Sequence, residues 1–182
     1  MRTEEAIMST DTFNLNVEGT KAVCPIGEKY GKRCSDEGKI PVFSCEGSCI
    51  RGEIARLAAN MIAKHEPYGR GCHGEIFTAP NSAIANWART AKNIVVVDGC
   101  FMKCHGRILK NIVGEAGMAH FDALAIYNKY TDLMDIDDVP EQERKATAEQ
   151  VATIILNALQ SDTPATKTVE RPVSCTQCSS CK

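Results

Sequence analysis

Ile94-Val95-Val96-Val97-Asp98-Gly99-Cys100-Phe101-Met102-Lys103-Cys104-His105-Gly106-Arg107 decides the fold. Four consecutive β-branched residues, Ile94 to Val97, suit a parallel strand covered on both faces. Asp98-Gly99 ends that strand. Ile108, Leu109, Ile112 and Val113 then recur on one helical face, so the segment reads strand, turn, helix. Cys100 and Cys104 fall at or just inside the helix start, where unpaired N–H groups and the positive end of the helix dipole favour thiolates. Asp98 is placed to cap the same helix through backbone N–H groups.

The same organisation occurs earlier. Ile40-Pro41-Val42-Phe43-Ser44 is a short strand, followed by Cys45-Glu46-Gly47-Ser48-Cys49 and a helix whose apolar face is Ile50, Ile54, Leu57, Ala58, Met61 and Ile62. Both units put Cys-x3-Cys between the carboxyl end of a strand and a helix start. Ligands of open α/β sheets bind at that edge, so neighbouring strands would bring four thiols into one crevice.

Between the two units, His65 to Gly71 supplies a short returning strand or turn that delivers Cys72, a fifth sulfur, in Gly71-Cys72-His73-Gly74. Pro80-Asn81-Ser82 is a helix entry, with Ile84, Trp87, Ala88 and Ala91 facing inward and Trp87 in the core. Beyond the central unit, Phe121 to Tyr127 reads as another buried strand. Asp138-Val139-Pro140-Glu141 opens a last helix with Val151, Ile154, Ile155, Ala158 and Leu159 as its buried stripe. Alternating strands and helices with right-handed crossovers predict an α/β fold: a small parallel, Rossmann-like sheet of about four strands with helices on both faces.

Around this domain, residues 40–160, the reading places two appendages. Residues 1–39 form a polar, turn-rich extension carrying Cys24 and Cys34, which are too far apart for a compact metal knuckle and read first as structural or solvent-facing, with a joint second site as the alternative. Residues 161–182 form a Thr/Ser/Pro-rich tail ending Cys175-Thr176-Gln177-Cys178-Ser179-Ser180-Cys181-Lys182, expected to be flexible. Three cysteines at two-residue gaps can wrap a soft metal or close on the core site, on Cys24 and Cys34 or on a protein partner, with a solvated tail that binds nothing specific as the equal alternative, but lack the fourth ligand of iron–sulfur runs.

Composition narrows the function classes. The 182 residues carry a net charge of -2, which provides no basic field for nucleic acid. No apolar run reaches the roughly 18 residues of a membrane span. Met1 to Gly19 resembles neither a secretory signal nor a transit peptide, so the expected compartment is the cytoplasm. Ten cysteines in a reducing compartment point to metal ligation or redox chemistry rather than structural disulfides.

The candidate metal ligands are Cys45, Cys49, Cys72, Cys100 and Cys104, one thiol more than a tetrahedral zinc requires. His73 and His105 each follow a candidate ligand. Adjacent helical residues point about 100° apart, so both are assigned supporting or solvent-facing roles. Arg51, Lys103 and Arg107 lie beside the cysteines and can offset a thiolate cluster's negative charge, with solvated surface charge as the simpler role for each. Glu46 and Glu75 are near enough in sequence to serve as proton carriers. No phosphate loop, Ser/His/Asp arrangement or paired-carboxylate motif rises above background, so no reaction is assigned.

Strand-Cys45, Gly71-Cys72 and Asp98-Gly99-Cys100-x3-Cys104 resemble the DGC-domain family of zinc-binding proteins, named for its Asp-Gly-Cys motif, over roughly residues 40–130. The resemblance implies a four-cysteine metal site, here Cys45, Cys72, Cys100 and Cys104. Cys49, the paired Cys-His-Gly segments, the Cys24/Cys34 extension and the three-cysteine tail depart from the simplest family pattern.

The leading expectation is therefore a zinc-binding protein that handles or senses the ion, with Cys49 as an additional or exchangeable ligand. Two alternatives use the same sulfurs: an iron–sulfur site for electron transfer or cluster delivery, and a thiol oxidoreductase working through Cys100/Cys104 or Cys45/Cys49. The usual redox spacing, Cys-x2-Cys, occurs only in the tail, which ranks the last reading below the others. Sequence does not separate zinc from a soft metalloid such as trivalent arsenic.

Overall fold

A computed structural model describes residues 14–114 and 117–161. Its centre is a four-stranded, all-parallel sheet in the order β2-β1-β3-β4, built from β1 (Ile40–Ser44), β2 (Tyr68–Arg70), β3 (Ile94–Asp98) and β4 (Met118–Asp122). The central strand β3 is buried along its whole length, as its β-branched run requires. Its neighbours are set by register, with Phe43 opposite Val96 on one side and His120 opposite Val96 on the other.

Two apolar layers flank the sheet. On one face α2 (Ile50–Ile62), α6 (Ala123–Tyr127) and α7 (Glu141–Gln160) pack against Val42, Val95 and Val97. On the other, α3 (His73–Thr78), α4 (Ala83–Thr90) and α5 (Cys104–Val113) cover Phe43, Ile94 and Val96. The alternation of neighbouring strand residues between the two cores is the period-two geometry of a doubly covered strand. Right-handed crossovers account for the split: the chain leaves β1 toward one edge and β3 toward the other, so α2 and α5 lie on opposite faces. The carboxyl ends of β1 and β3 flank the resulting switch point, the edge where open sheets place ligands.

Several elements form as read. Ser82 caps α4, its side chain accepting from Ala85 N at 3.2 Å, and Trp87 is 2% exposed with Nε1 donating to the Lys39 carbonyl at 2.8 Å. Four expectations are corrected. Phe121 to Tyr127 is not a strand: β4 ends at Asp122, whose carboxylate accepts from Ala125 N at 3.1 Å and starts α6. An Asx cap thus converts an apolar run into a helical turn. In α7 the buried stripe is Ala148, Val151, Ala152 and Ile155, while Ile154 and Ala158 face solvent. In α5 Leu109 is sealed but Ile108 is exposed.

The fourth correction concerns the amino-terminal extension, where Pro25–Asp36 forms helix α1. Pro25 occupies its first turn and Gly38, at φ +64, ends it in the left-handed conformation. The helix packs on α4 through small residues, with Tyr30 meeting Trp87 edge-on at 6.1 Å between ring centres. Cys34 is fully buried there. Gly31 marks the closest approach, since a Cβ on it would lie 2.6 Å from Ile84 N and 2.7 Å from the Ala83 carbonyl carbon. Both are backbone atoms that cannot rotate away. Gly31→Ala would gain about 1 kcal/mol of helix propensity, but forcing the two helices apart costs about 1–3 kcal/mol. The substitution is therefore expected to lower stability in chemical denaturation; a rise would show that α1 does not dock this closely.

Candidate metal site at the carboxyl edge

Cys45 extends β1 past its last residue, held by a hydrogen bond from its N–H to the Val97 carbonyl at 2.8 Å. Its thiol is half-buried and accepts from Gly47 N at 3.3 Å. Burial raises the thiol's pKa, an effect opposed by the N–H groups of Gly47 and Gly99 and reinforced by the nearby Asp98 carboxylate. Cys45 is therefore not the helix-activated thiolate that the sequence pattern implies. It lies five residues ahead of α2, inside the fold, where desolvation dominates.

Across the switch point, Asp98 ends β3 and is 1% exposed. It accepts from His105 N at 3.2 Å and from Gly106 N at 2.9 Å, capping α5 as expected, and contacts His120 Nε2 at 2.7 Å. Burial alone would raise its pKa. The hydrogen bond from His120 and those from the two amides more than compensate, so the carboxyl ionises below its ordinary range. Gly106 is obligatory here, because a Cβ would sit 2.3 Å from the His120 ring and 2.8 Å from Asp98 Oδ2.

Cys45, Asp98 and His105 each offer a donor atom, and these three atoms lie within 4.8 Å of one another. Among the described residues this is the one group of three or more Cys, His, Asp or Glu side chains with metal-ligand spacing. His105 Nδ1 lies 4.0 Å from Asp98 Oδ1 and is enclosed without a hydrogen-bond partner. A buried ring nitrogen with no partner is uncommon, and a lone pair in that position beside a thiol and a carboxylate is a fit donor for a cation.

The five cysteines singled out from sequence take different positions. Cys49 is half-buried at the start of α2, Cys72 is exposed at the start of α3, Cys104 is exposed as the first residue of α5, and Cys100 is half-buried in the turn between β3 and α5, outside the helix. All five stand at the same edge of the sheet, but no three of them form a group with ligand spacing among the described residues. Cys24 immediately precedes α1 and Cys34 lies in its last turn. A ten-residue separation on a helix spans roughly 15 Å, so the two do not share an ion. Cys175, Cys178 and Cys181 lie outside the described residues.

Neither histidine of the Cys-His-Gly pairs faces solvent. His73 stacks edge-on against Phe43 at 5.2 Å and His105 at 4.8 Å, with Phe77 at 5.4 Å and Nε2 enclosed without a partner. Of the two glutamates, Glu46 accepts from Ser44 Oγ at 2.7 Å and from Arg70 at 2.9 Å, which ties it to β2 rather than freeing it to carry protons. Glu75 is buried against α1: a Cβ on Gly27 would lie 1.9 Å from its Oε1. The charged neighbours also separate. Arg51 reaches across to the Thr131 carbonyl, Arg107 is exposed, and Lys103 precedes α5 with φ 48.

Sequence reasoning missed Asp98 and His105 as donors and His120 altogether. Asp98 satisfies its role as a cap and so looked fully explained. The signal for His120 lies only in strand register, which sets it beside Val96, two residues from Asp98.

Burial, reinforced by His105 and Arg70, lowers the His73 pKa to about 3. In the unfolded chain the same imidazole takes its proton near pH 6.5. Between those values the unfolded state holds one more proton than the folded one, so stability falls as pH drops from about 6.5 toward 3. In metal-free protein His73 is expected to contribute up to about 1.4 kcal/mol per pH unit across that window. Denaturation midpoints measured against pH should flatten in His73→Phe; an unchanged slope would place the acid sensitivity elsewhere.

No described helix is long and apolar enough to cross a membrane. Comparison with curated proteins and with solved structures finds no match. The family model described as DGC domain matches residues 41–155, from β1 through most of α7, and takes in Cys45, Asp98 and His105 together. This chain belongs to the DGC-domain family.

Proposed function

We propose that this chain is a zinc-binding protein that handles or senses the ion at the carboxyl edge of its sheet. The observation that carries the reading is the convergence of Cys45, Asp98 and His105 donors within 4.8 Å, one of them an enclosed imidazole nitrogen without a partner. Sulfur, imidazole and carboxylate ligands together suit Zn²⁺ better than an iron–sulfur cluster, which is held mainly by thiolates. The remaining coordination falls to Cys72, Cys100 or Cys104, the residues that family resemblance implies, with Cys49 as an exchangeable ligand. When bound, zinc would supply a Lewis-acid centre that holds a thiolate at neutral pH.

The chain's own residues prepare the site. Asp98 is fixed by α5 and His120 before any ion arrives, and its lowered pKa keeps it anionic. Cys45 is a half-buried thiol with a raised pKa, so metal binding at this position releases a proton. Cys72 and Cys104, both exposed, form an outer rim through which the ion enters and leaves. Transport or sensing is favoured over a structural role by the two apolar layers. A domain with its own core reaches about 5–15 kcal/mol of stability without an ion, unlike the small zinc modules that are unfolded until metal binds.

Protein purified without oxygen is expected to contain close to one zinc per chain by elemental analysis, to be colourless, and to lose most of that zinc in Cys45→Ser. A brown protein with broad visible absorption would replace zinc by an iron–sulfur cluster, and full zinc retention in Cys45→Ser would remove Cys45 from the site. Chelation of the loaded protein should leave its helical circular dichroism intact and shift the thermal midpoint by only a few degrees. Unfolding on chelation would make the metal structural and end the handling role.

A further inference from the structure

The two Cys-His-Gly segments place their side chains alike. Cys72 and Cys104 are exposed, whereas His73 and His105 each have a ring nitrogen enclosed without a hydrogen-bond partner, Nε2 in the first and Nδ1 in the second. Neighbouring residues at a helix start diverge by about 100°, so a segment that turns its imidazole inward turns its thiol out. The segments follow different strands, β2 and β3, yet their rings meet edge-on at 4.8 Å between centres. Buried ring nitrogens normally have partners, and a cation is the partner that lone pairs on two touching imidazoles can share.

The surroundings of His73 set both its position and its tautomer. A Cβ on Gly71 would lie 2.4 Å from the Phe43 ring, so the chain crosses that ring closely as it leaves β2, and the Gly71 N–H donates to the Val42 carbonyl at 2.9 Å. His73 then packs edge-on against Phe43 at 5.2 Å, with Phe77 at 5.4 Å. Its Nδ1 lies 3.8 Å from Glu46 Oε1, an oxygen anchored by Ser44 Oγ and Arg70. That is longer than a formed hydrogen bond, but it puts a fixed acceptor on the Nδ1 side, which favours Nδ1–H and leaves the Nε2 lone pair free. Metal-binding histidines are generally oriented this way, by an acceptor behind the ring. Arg70, the cation beside this ring, is balanced by the same Glu46 and tied to the Val42 carbonyl.

We propose that His73 Nε2, steered by Glu46, is the fourth ligand of the ion seated on Cys45, Asp98 and His105, and that Cys72 and Cys104 serve its passage rather than its seat. The inference rests on the zinc reading above. His73 stands beside the group whose donors lie within 4.8 Å of one another, touching it through the His105 ring. Ligand atoms of a tetrahedral zinc stand only about 3.3–3.8 Å apart, so the three grouped donors must themselves contract around the ion. The same contraction, with rotation of the His73 ring, brings Nε2 in. Charge favours this set over one with a rim thiol. One thiolate, one carboxylate and two neutral imidazoles neutralise Zn²⁺ in full, whereas a second thiolate in place of His73 leaves excess negative charge in an enclosed position. Exchange between rim thiol and His73 swaps a zinc–sulfur for a zinc–nitrogen bond, with no change of oxidation state.

Imidazole ¹⁵N NMR spectra of the full-length protein, recorded without metal and with equimolar zinc, test the proposal. Zinc is expected to move His73 Nε2 and one ring nitrogen of His105 together from the unprotonated to the metal-bound position, leaving the exposed His65 unchanged. Movement of His105 without His73 would overturn the proposal and leave the zinc reading intact, whereas bound zinc with neither ring moved would remove the donor group on which both rest. In competition with a chelating indicator, His73→Phe, which keeps the packing on Phe43 and Phe77, should bind zinc about 100-fold more weakly or worse, beyond the range typical of a lost supporting group, with unchanged helical circular dichroism. Cys72→Ser should lose less; a larger loss there than in His73→Phe would give the seat to the thiol. Glu46→Gln should raise the Nε2-protonated tautomer of metal-free His73 and weaken zinc about tenfold, and no change in either would end the steering role. If His73→Phe fails to fold, the spectra of the parent protein decide.

Discussion

A buried carboxylate is costly unless every lone pair has a partner, and Asp98 is the residue on which the carboxyl edge depends. It closes β3, caps α5 through His105 and Gly106, and draws β4 inward through His120. One side chain thereby fixes three elements relative to each other. Gly106 follows from that arrangement, since the His120–Asp98 contact leaves no room for a Cβ. So does the placement of His105, whose backbone serves the cap while its ring turns toward Cys45.

The same constraint explains why a metal group arises here. The switch point separates the paths of α2 and α5 and leaves the ends of β1 and β3 side by side, with Cys45 on one and Asp98 on the other. A strand-to-helix turn that must satisfy a buried aspartate also holds its neighbours rigidly, which limits the reorganisation that metal binding requires. Around this fixed centre, Cys72 and Cys104 remain exposed and Cys49 and Cys100 half-buried. The thiols at the edge thus differ in accessibility.

The Asp98-Gly99-Cys100 turn divides the edge into two regions. The α5 side gathers a carboxylate, a thiol and imidazoles, all suited to a cation. The α2 side presents Arg51 and the phenol of Tyr127, whose hydroxyl is enclosed without a partner. Gly99 permits the division, because only a residue without a side chain lets the first turn of α2 approach the β3 end this closely.

The sequence by itself determined the parallel α/β architecture and the edge at which the chemistry collects. The run Ile94 to Val97 has one stable setting, between two apolar layers, and Asp-Gly-Cys after it marks the turn. Helix α1 was missed although Pro25 and Gly38 bracket it, because its buried face is made of Gly27, Gly31 and Cys34, residues too small to register as an apolar stripe. The Phe121 to Tyr127 run was misread because composition does not reveal when an aspartate will cap rather than continue a strand. Which side chains meet was decided only by tertiary structure. His120 reaches Asp98 through strand register, and Cys45 reaches His105 through the order of β1 and β3, relations between residues separated by tens of positions that no local pattern encodes.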